Sequence, residues 1–450
     1  VKPAIELREE VLQEDNNSIV MRVEVREHYM NKELTHTHEV TIRKHVLRQL
    51  RDIVEEVDRR ITEVKLGEVT PAELWYTLTK LRAIAVNKVL NSIENYRVEE
   101  RTSVDKLTTR VKKLKVLKPT EPRLIVKARI GTEITGIQHQ YDQRKLLLGL
   151  LLTDLSTRNG ALQLATSDTQ YITYVATLLG TPLQARTLMY YIRTGNLVDT
   201  CYTITFSTDH RLQNSAPQHI LENKLQLWHH TLNTTQNLAE ELVAGLLIGD
   251  GILKTIKRKR GEVEVRLKYS TRLPHNLRKL LAEKLEQTLG PRIEIQKDRL
   301  VLLDQARYRG LVLMLRAVAT HPSYLWPRKV LKLAQVRTDL LHIAQYTQTE
   351  MSLVTAIKLI AKHMRARLKK GKYLHVYITG LSKYVEVRRA YEYTRQVLGI
   401  TKPANRQFKR VLELTGNNAR KLAAVALKYA QNLLDPETLE AIKQALQQDK

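Results

Sequence analysis

The stretch Val243-Ala244-Gly245-Leu246-Leu247-Ile248-Gly249-Asp250-Gly251 ends an apolar helix in a carboxylate and a glycine. A helix C-terminus carries partial negative charge, so an acid there is unfavourable unless something positive offsets it. Burial adds to the cost. A lysine, an arginine or a metal ion can supply the offset. An earlier stretch, Leu147-Leu148-Gly149-Leu150-Leu151-Leu152-Thr153-Asp154-Leu155, sets Gly149 opposite Gly245 and Asp154 opposite Asp250, each pair 96 residues apart. Small residues in an apolar helix let a second backbone approach closely. Two such helices packed at Gly149 and Gly245 bring their C-terminal ends together. Two neighbouring carboxylates repel unless a divalent cation lies between them, and hard oxygen donors suit Mg²⁺ better than Zn²⁺. Paired carboxylates that hold metal ions are working parts of phosphodiester hydrolysis.

The surrounding pattern repeats with the motif. In the first pass a helix over 145–154 is followed by a turn at Asn159-Gly160 and a strand over 161–166. A helix over 170–179, strands over 188–193 and 200–206, and polar helical sequence to about 236 complete it. In the second pass the motif helix leads to strands over 252–257 and 262–269 and a helix over 273–289. A hairpin over 292–296 and 299–303 and a helix over 306–319 follow. The order helix–strand–strand–helix–strand–strand–helix, complete in the second pass and blurred in the first, predicts a pseudo-two-fold pairing of halves. Gly251 is suited to closing its helix in the left-handed conformation. Leu155 is not, so the first motif is expected to turn differently.

VAGLLIGDG and LLGLLLTDL resemble the motifs of the LAGLIDADG homing endonucleases, in their single-chain, two-repeat form, over roughly residues 143–335. The resemblance implies an α+β fold of two αββαββα half-domains. The motif helices form the interface, and the sheets make a saddle over the DNA major groove. It implies that Asp154 and Asp250 bind catalytic metals, Mg²⁺ being the expected cofactor, and that a basic residue stands near each metal site. Lys329 and Lys332 are the second-half candidates and Lys224 a weaker first-half one. The implied activity is Mg²⁺-dependent hydrolysis of double-stranded DNA at a long specific site. The alternative is a domesticated relative that binds DNA or RNA without cutting: a regulator, a replication-associated factor or an intron maturase. In the second half, Lys254, Lys257, Arg258, Lys259, Arg260, Arg266 and Lys268 suit phosphate and guanine contacts. The first half offers Gln163, Thr166, Ser167, Arg186 and Arg193, a much less basic set, so unequal binding by the halves is expected.

The flanks and the bulk composition complete the expectations. Of 450 residues, 74 are Lys or Arg and 47 Asp or Glu, a net charge of +27, which points to a polyanionic partner. A high charged fraction with few glycines hints at a thermophilic source. Cys201 is the single cysteine, which excludes a disulfide framework or thiolate metal cage and fits a reducing cytoplasm. No apolar run approaches the ~18 residues of a membrane span. The expected organisation is an N-terminal meander with helices (1–120), a linker (121–142), the two repeats (143–236 and 237–340) and a helical C-terminal domain (341–450). A monomer with internal pseudo-symmetry is expected. Within the N-terminal part, residues 4–41 alternate as a meander, 42–64 have helical spacing, and Thr70-Pro71-Ala72-Glu73 reads as a helix start. His36 and His38 share a strand face and read as exposed polar positions. The tract 362–372 reads as the basic end of a helix that begins at Ser352, with backbone contact to nucleic acid favoured. Tyr373, Tyr377 and Tyr384 form a cluster that reads as core packing in preference to base stacking.

Overall fold

The computed structural model describes the chain apart from residues 1, 30–31, 57–60, 92–96, 106–109, 119–122, 132–141, 194–196, 208–216, 256–262, 269–272, 297–298, 347–350, 403–410 and 448–450. It is a mixed α+β protein. The N-terminal part runs β1 (Lys2–Pro3), β2 (Ile5–Glu14), β3 (Ser18–Tyr29), β4 (Lys32–Arg43), α1 (Lys44–Glu56), β5 (Ile61–Val69), α2 (Pro71–Asn91), β6 (Arg97–Asp105), β7 (Arg110–Lys118) and β8 (Arg123–Ile130). The first repeat is α3 (Gln143–Leu152), β9 (Ser156–Arg158), β10 (Ala161–Thr166), α4 (Thr169–Leu179), β11 (Leu183–Arg193), β12 (Leu197–Phe206), a short α5 (Gln218–Leu221) and α6 (Lys224–Thr234). The second is α7 (Glu240–Asp250), β13 (Gly251–Thr255), β14 (Val263–Lys268), α8 (His275–Leu289), β15 (Ile293–Ile295), β16 (Arg299–Leu302), α9 (Asp304–Arg316), a 3₁₀ turn (Ser323–Leu325) and α10 (Arg328–Val336). The C-terminal part is α11 (Thr338–Tyr346), α12 (Leu353–Ala361), β17 (Met364–Lys369), β18 (Tyr373–Thr379), α13 (Val385–Leu398), β19 (Val411–Thr415), α14 (Gly416–Ala430) and α15 (Pro436–Gln447).

The two repeats share one strand order. The first pairs as β9-β10-β12-β11, all antiparallel, and the second as β13-β14-β16-β15. The hairpin between β9 and β10 turns at Asn159 (φ 51°) and Gly160 (φ 76°), two consecutive left-handed residues as a two-residue hairpin loop demands. Alternation buries Leu162 and Leu164 on β10 and Tyr202, Ile204 and Phe206 on β12. In α7 every residue from Leu242 to Gly249 is buried. A helix apolar all round belongs inside the protein, not on its surface.

Several expectations need correction. The helix expected over 42–64 ends at Glu56, and Ile61–Val69 is a strand that pairs in parallel with Arg123–Ile130. Its β-branched and alternating residues fit a sheet edge better than another helical turn. Residues 121–142 are therefore not a linker throughout. Strand β8 also pairs with β11, so the first repeat's sheet continues as β12-β11-β8-β5, with β7 beside β11 and β6 beside β7. The N-terminal part is built onto the first half. The C-terminal domain is not all helical either: β17, β18 and β19 form an antiparallel sheet, of which the sequence offers only Tyr373–Ile378 as a strand. The basic tract leaves the helix at Ala361 and becomes a strand, because Met364 and Ala366 alternate with Arg365 and Arg367 at period two.

Helix α2 joins the N-terminal part to the rest. Its start is a reciprocal capping box: the Glu73 amide donates to Thr70 Oγ1 at 3.2 Å and the Thr70 amide to Glu73 Oε2 at 3.0 Å. The helix lies buried between the meander and the first repeat. Tyr202 donates its hydroxyl to the Leu78 carbonyl at 2.8 Å, and Thr79 meets Thr169 at 2.8 Å.

His36 and His38 do share one strand face, but that face is buried, at 7% and 4% exposure. His36 Nδ1 lies 2.6 Å from His38 Nε2, and His38 Nδ1 lies 2.9 Å from Ser323 Oγ. The His38 ring is edge-on to Trp75. Burial, opposed by the Glu27 charge and aided by those of Arg328 and Arg82, pulls His36 down to about 4. Burial and His36 pull His38 down to about 3. Each histidine is thus neutral in the folded chain and takes up a proton near pH 6.5 once unfolded. The stability this confers is complete above pH 6.5 and is lost as pH falls from 6.5 towards 4 and 3. Each histidine adds a slope of about 1.4 kcal/mol per pH unit in that window. Thermal melts between pH 7.5 and 4.5 are expected to show the decline, and His36→Phe to make it shallower. An unchanged slope in that variant would count against the assignment.

Candidate metal and nucleic-acid site

The motif helices α3 and α7 touch at their glycines. A Cβ on Gly149 would lie 2.3 Å from the Leu242 carbonyl oxygen, and one on Gly245 2.3 Å from the Leu146 carbonyl oxygen. The two contacts are mirror copies under the 96-residue offset. No rotamer change relieves a clash with backbone, so Gly245→Ala must push the helices apart. We expect a loss of about 3 kcal/mol, at the upper end for overpacking, read as a lowered thermal midpoint. One turn on, Gly249 packs against Thr153, its mirror position; a Cβ there would meet the Thr153 hydroxyl at 1.9 Å.

The acids emerge together at the ends of this helix pair. Asp250 is the last residue of α7 and half-buried; Asp154 follows the C-cap Thr153 of α3 and is exposed. The helix ends differ, though not as the glycine pattern suggested. Gly251 is not left-handed: it has φ −62° and ψ 129° and opens strand β13. It must be glycine for space, since a Cβ would sit 2.1 Å from the Leu247 carbonyl. In the first half, Thr153 closes the helix at φ −117°, ψ −98°, and the Leu155 amide reaches back to the Leu150 carbonyl at 2.9 Å. Leu155 is then fully buried.

Two lysines close the site. Lys224, the first residue of α6, donates to the carbonyl of Thr153. Lys329, in the first turn of α10, donates to the carbonyl of Gly249 and, at 3.0 Å, to that of Gly251. Each lysine thus holds the carbonyl of the residue just before an acid, and each starts the helix that closes its half. These two ammonium groups answer the electrostatic problem of an acid at a helix C-terminus. Burial lowers both lysines, and Asp154 and Asp250 oppose that shift. The pairing crosses the interface, because Lys224 feels Asp250 more than Asp154 and Lys329 feels Asp154 more than Asp250. Lys332 follows one turn further along α10 and is half-buried; Lys329 is the lysine that reaches the Gly249 and Gly251 carbonyls. The weaker sequence candidate, Lys224, fills the matching position in the first half. The Tyr171 phenol stands beside Asp154; burial first, then the Asp154 charge, drives it well above its ordinary range.

A buried ion network, which the sequence did not suggest, holds this corner. Arg82 makes two hydrogen bonds to Asp199, at 2.9 and 3.0 Å, and one to Glu27 at 2.5 Å. Glu27 in turn pairs with Arg328 at 2.7 Å. The Arg328 amide donates to Asp168 at 2.7 Å, and its guanidinium to the Ser167 carbonyl at 3.2 Å. The network ties the meander (Glu27), α2 (Arg82), the first repeat (Asp199, Asp168) and α10 to one another. It ends on the residue beside Lys329. Asp168 also caps α4 by accepting from the Tyr171 amide at 3.0 Å. Ser167 is buried and Thr166 accepts from the Asp168 amide. Thr166 thus serves this cap, and Ser167 the Arg328 contact.

Among the other candidates, Lys254 is exposed on β13, Arg186 exposed on β11 and Gln163 half-buried on β10. Arg266 and Lys268 stand on β14 in register with Val301 and Arg299, and Arg193 ends β11 opposite Leu197. Lys257, Arg258, Lys259 and Arg260 lie outside the described residues. The first sheet is less poor in charge than its own strands indicate. Gln163, Thr205, Gln184, Lys127 and Lys65 are cross-strand neighbours in one row from β10 to β5. The N-terminal strands thus add lysines to it. An open cavity of about 700 Å³ lies at this end of the sheet.

Among the described residues, no group of three or more His, Cys, Asp or Glu side chains converges as a metal cage. Mg²⁺ does not require one; it is commonly held by one or two carboxylates with water and substrate phosphate. Asp154 and Asp250, at the paired helix ends beside backbone carbonyls, offer a hard oxygen set of that kind. No described helix is long and apolar enough to cross a membrane. Compared with known proteins, the chain matches no family model and no curated protein.

Proposed function

We propose that this chain is a divalent-metal-dependent endonuclease that cuts double-stranded DNA at a long site, built on the plan of the LAGLIDADG homing endonucleases. One observation carries it. Two helices meet at mirror-related glycines, and each ends in an acid whose preceding carbonyl is held by a lysine. A repeated structural helix has no need of that arrangement. The net charge of +27 agrees with a polyanionic substrate. The two four-stranded sheets of equal strand order would each take one half of the duplex, as arms of a saddle.

Asp154 and Asp250 would hold Mg²⁺, which supplies charge stabilisation at the phosphate and activation of water. Lys224 and Lys329 keep the two acid-bearing turns in place and lend positive potential to a phosphate entering between the halves. Lys254, Arg186 and Gln163 bind the duplex outside the cleavage point, where phosphate contacts set register and base edges set specificity.

The test is Mg²⁺-dependent cleavage of a randomised long-duplex library, run beside the Asp154→Asn/Asp250→Asn double variant. Site-specific cuts by the unaltered protein alone are expected. Tight, salt-sensitive binding by both proteins with no cuts from either would replace this reading with the non-cleaving one, and structured RNA would then be the next substrate to try.

A further inference from the structure

The C-terminal sheet has one buried face and one open face. Met364, Ala366, Leu374, Val376, Ile378, Leu412 and Leu414 point into the core. The opposite side of β17 presents Arg365, Arg367 and Lys369, all exposed. Their partners across the ladder are Tyr377, His375 and Tyr373 respectively. Three cations therefore stand beside three rings, one pair per rung. Tyr373, at the hairpin end, is 64% exposed, the most of any large hydrophobic side chain described. The rings of His375 and Tyr377 lie stacked, 6.4 Å apart at an interplanar angle of 25°. The hairpin turn adds Lys370 and Lys372, both exposed. The one acid on the inner rung, Glu413 of β19, is taken up by His375 at 2.7 Å and Lys369 at 3.4 Å. Arg365 pairs with Asp435 at 2.9 Å. Arg367, Lys370 and Lys372 carry the face's remaining positive charge.

Aromatic rings interleaved with cations on an open sheet match one kind of polymer. Bases stack on the rings while the phosphates follow the cations. A duplex offers its phosphates but not its base faces, so only a single strand uses both features. An acidic protein surface would use the cations, but it would not need the regular interleaving of rings with cations that suits alternating bases and phosphates. We propose that the open face of the C-terminal sheet binds a single-stranded polynucleotide, with Tyr373 and Tyr377 as stacking residues and Arg367, Lys370 and Lys372 along the backbone. This surface is separate from the acid pair, and the proposal does not rest on the endonuclease reading.

Fluorescence anisotropy of the full chain with labelled oligothymidylate and oligouridylate tests it, in an excess of unlabelled duplex to occupy any duplex site. Tyr373→Ala is expected to weaken the tighter-binding strand about tenfold, the usual worth of one stacked base. Tyr373→Phe, which keeps the ring, is expected to bind like the unaltered protein. The side chain is largely exposed, so neither change should move the thermal midpoint. The Asp154→Asn/Asp250→Asn variant is expected to bind the strand undiminished, which separates failure of this proposal from failure of the proposed function. Binding by Tyr373→Ala within about twofold of the unaltered protein would overturn the proposal. So would an equal loss of affinity for labelled duplex, since that would make the face a general phosphate-binding patch.

Discussion

Asp250→Asn is expected to lower cleavage of the selected site about a thousandfold or more while leaving duplex binding nearly intact. The carboxylate is the part of the site that can hold a cation. Charge stabilisation by such a cation is worth several kcal/mol at the transition state, and each 1.4 kcal/mol is tenfold in rate. The exchange is isosteric and half-buried, and it removes a negative charge from a negative helix end. The fold should therefore tolerate it, with a thermal midpoint within a few degrees of the unaltered protein. Asp154→Asn should behave likewise although Asp154 is more exposed, because Lys329 and Lys224 couple each acid to the opposite half. A variant that still cuts at more than about a tenth of the normal rate would remove Asp250 from the chemistry.

Arg82→Met is expected to be the most destabilising single change, costing about 3–5 kcal/mol. Arg82 is fully buried, and Glu27 and Asp199 are nearly so. Without the guanidinium, two carboxylates face each other in an apolar interior with Arg328 as the remaining near cation. Arg82→Lys should not rescue it, because a single ammonium cannot reproduce the forked pair of bonds to Asp199 and reach Glu27 as well. The thermal midpoint reports the loss. Cleavage should also fall, more than the unfolded fraction explains, because Glu27 holds Arg328 and Arg328 adjoins Lys329. If activity per folded molecule is unchanged, the network serves stability alone.

The meander and α2 thus do more than decorate the repeats. They carry the charges that fix α10, while strands β5–β8 widen the first sheet. The Arg309 and Arg316 guanidinium groups do similar work on the other side. Both bind Glu240, in the first turn of α7, and Glu386 of the C-terminal part. The second motif helix is therefore anchored within a larger frame than its own half.

What was legible in the sequence was local or periodic. The two apolar helices, their glycines and their acids follow from spacing alone, as do the order of strands and helices in the second repeat and the capping box at Thr70; the short strand β9 of the first repeat does not. These depend on residues a few positions apart, so a single chain displays them directly. The failures came where neighbours distant in sequence decide. Ile61–Val69 is apolar at a spacing open to helix or strand, and pairing with β8 settled it. Met364–Lys369 reads as the tail of a helix until β18 lies beside it. Lys224 and Lys329 are not 96 residues apart, because the segments leading into α6 and α10 differ in length, so no offset marks them as partners. Only their approach to the Thr153 and Gly249 carbonyls does. Glu27, Arg82, Asp199 and Arg328 are scattered over some 300 residues, and nothing in the local sequence of any one names another. The sequence by itself determined the paired motif helices and the acids they present. Tertiary structure alone decided which cations meet those acids, because burial and charge pairing depend on distance in space and not along the chain.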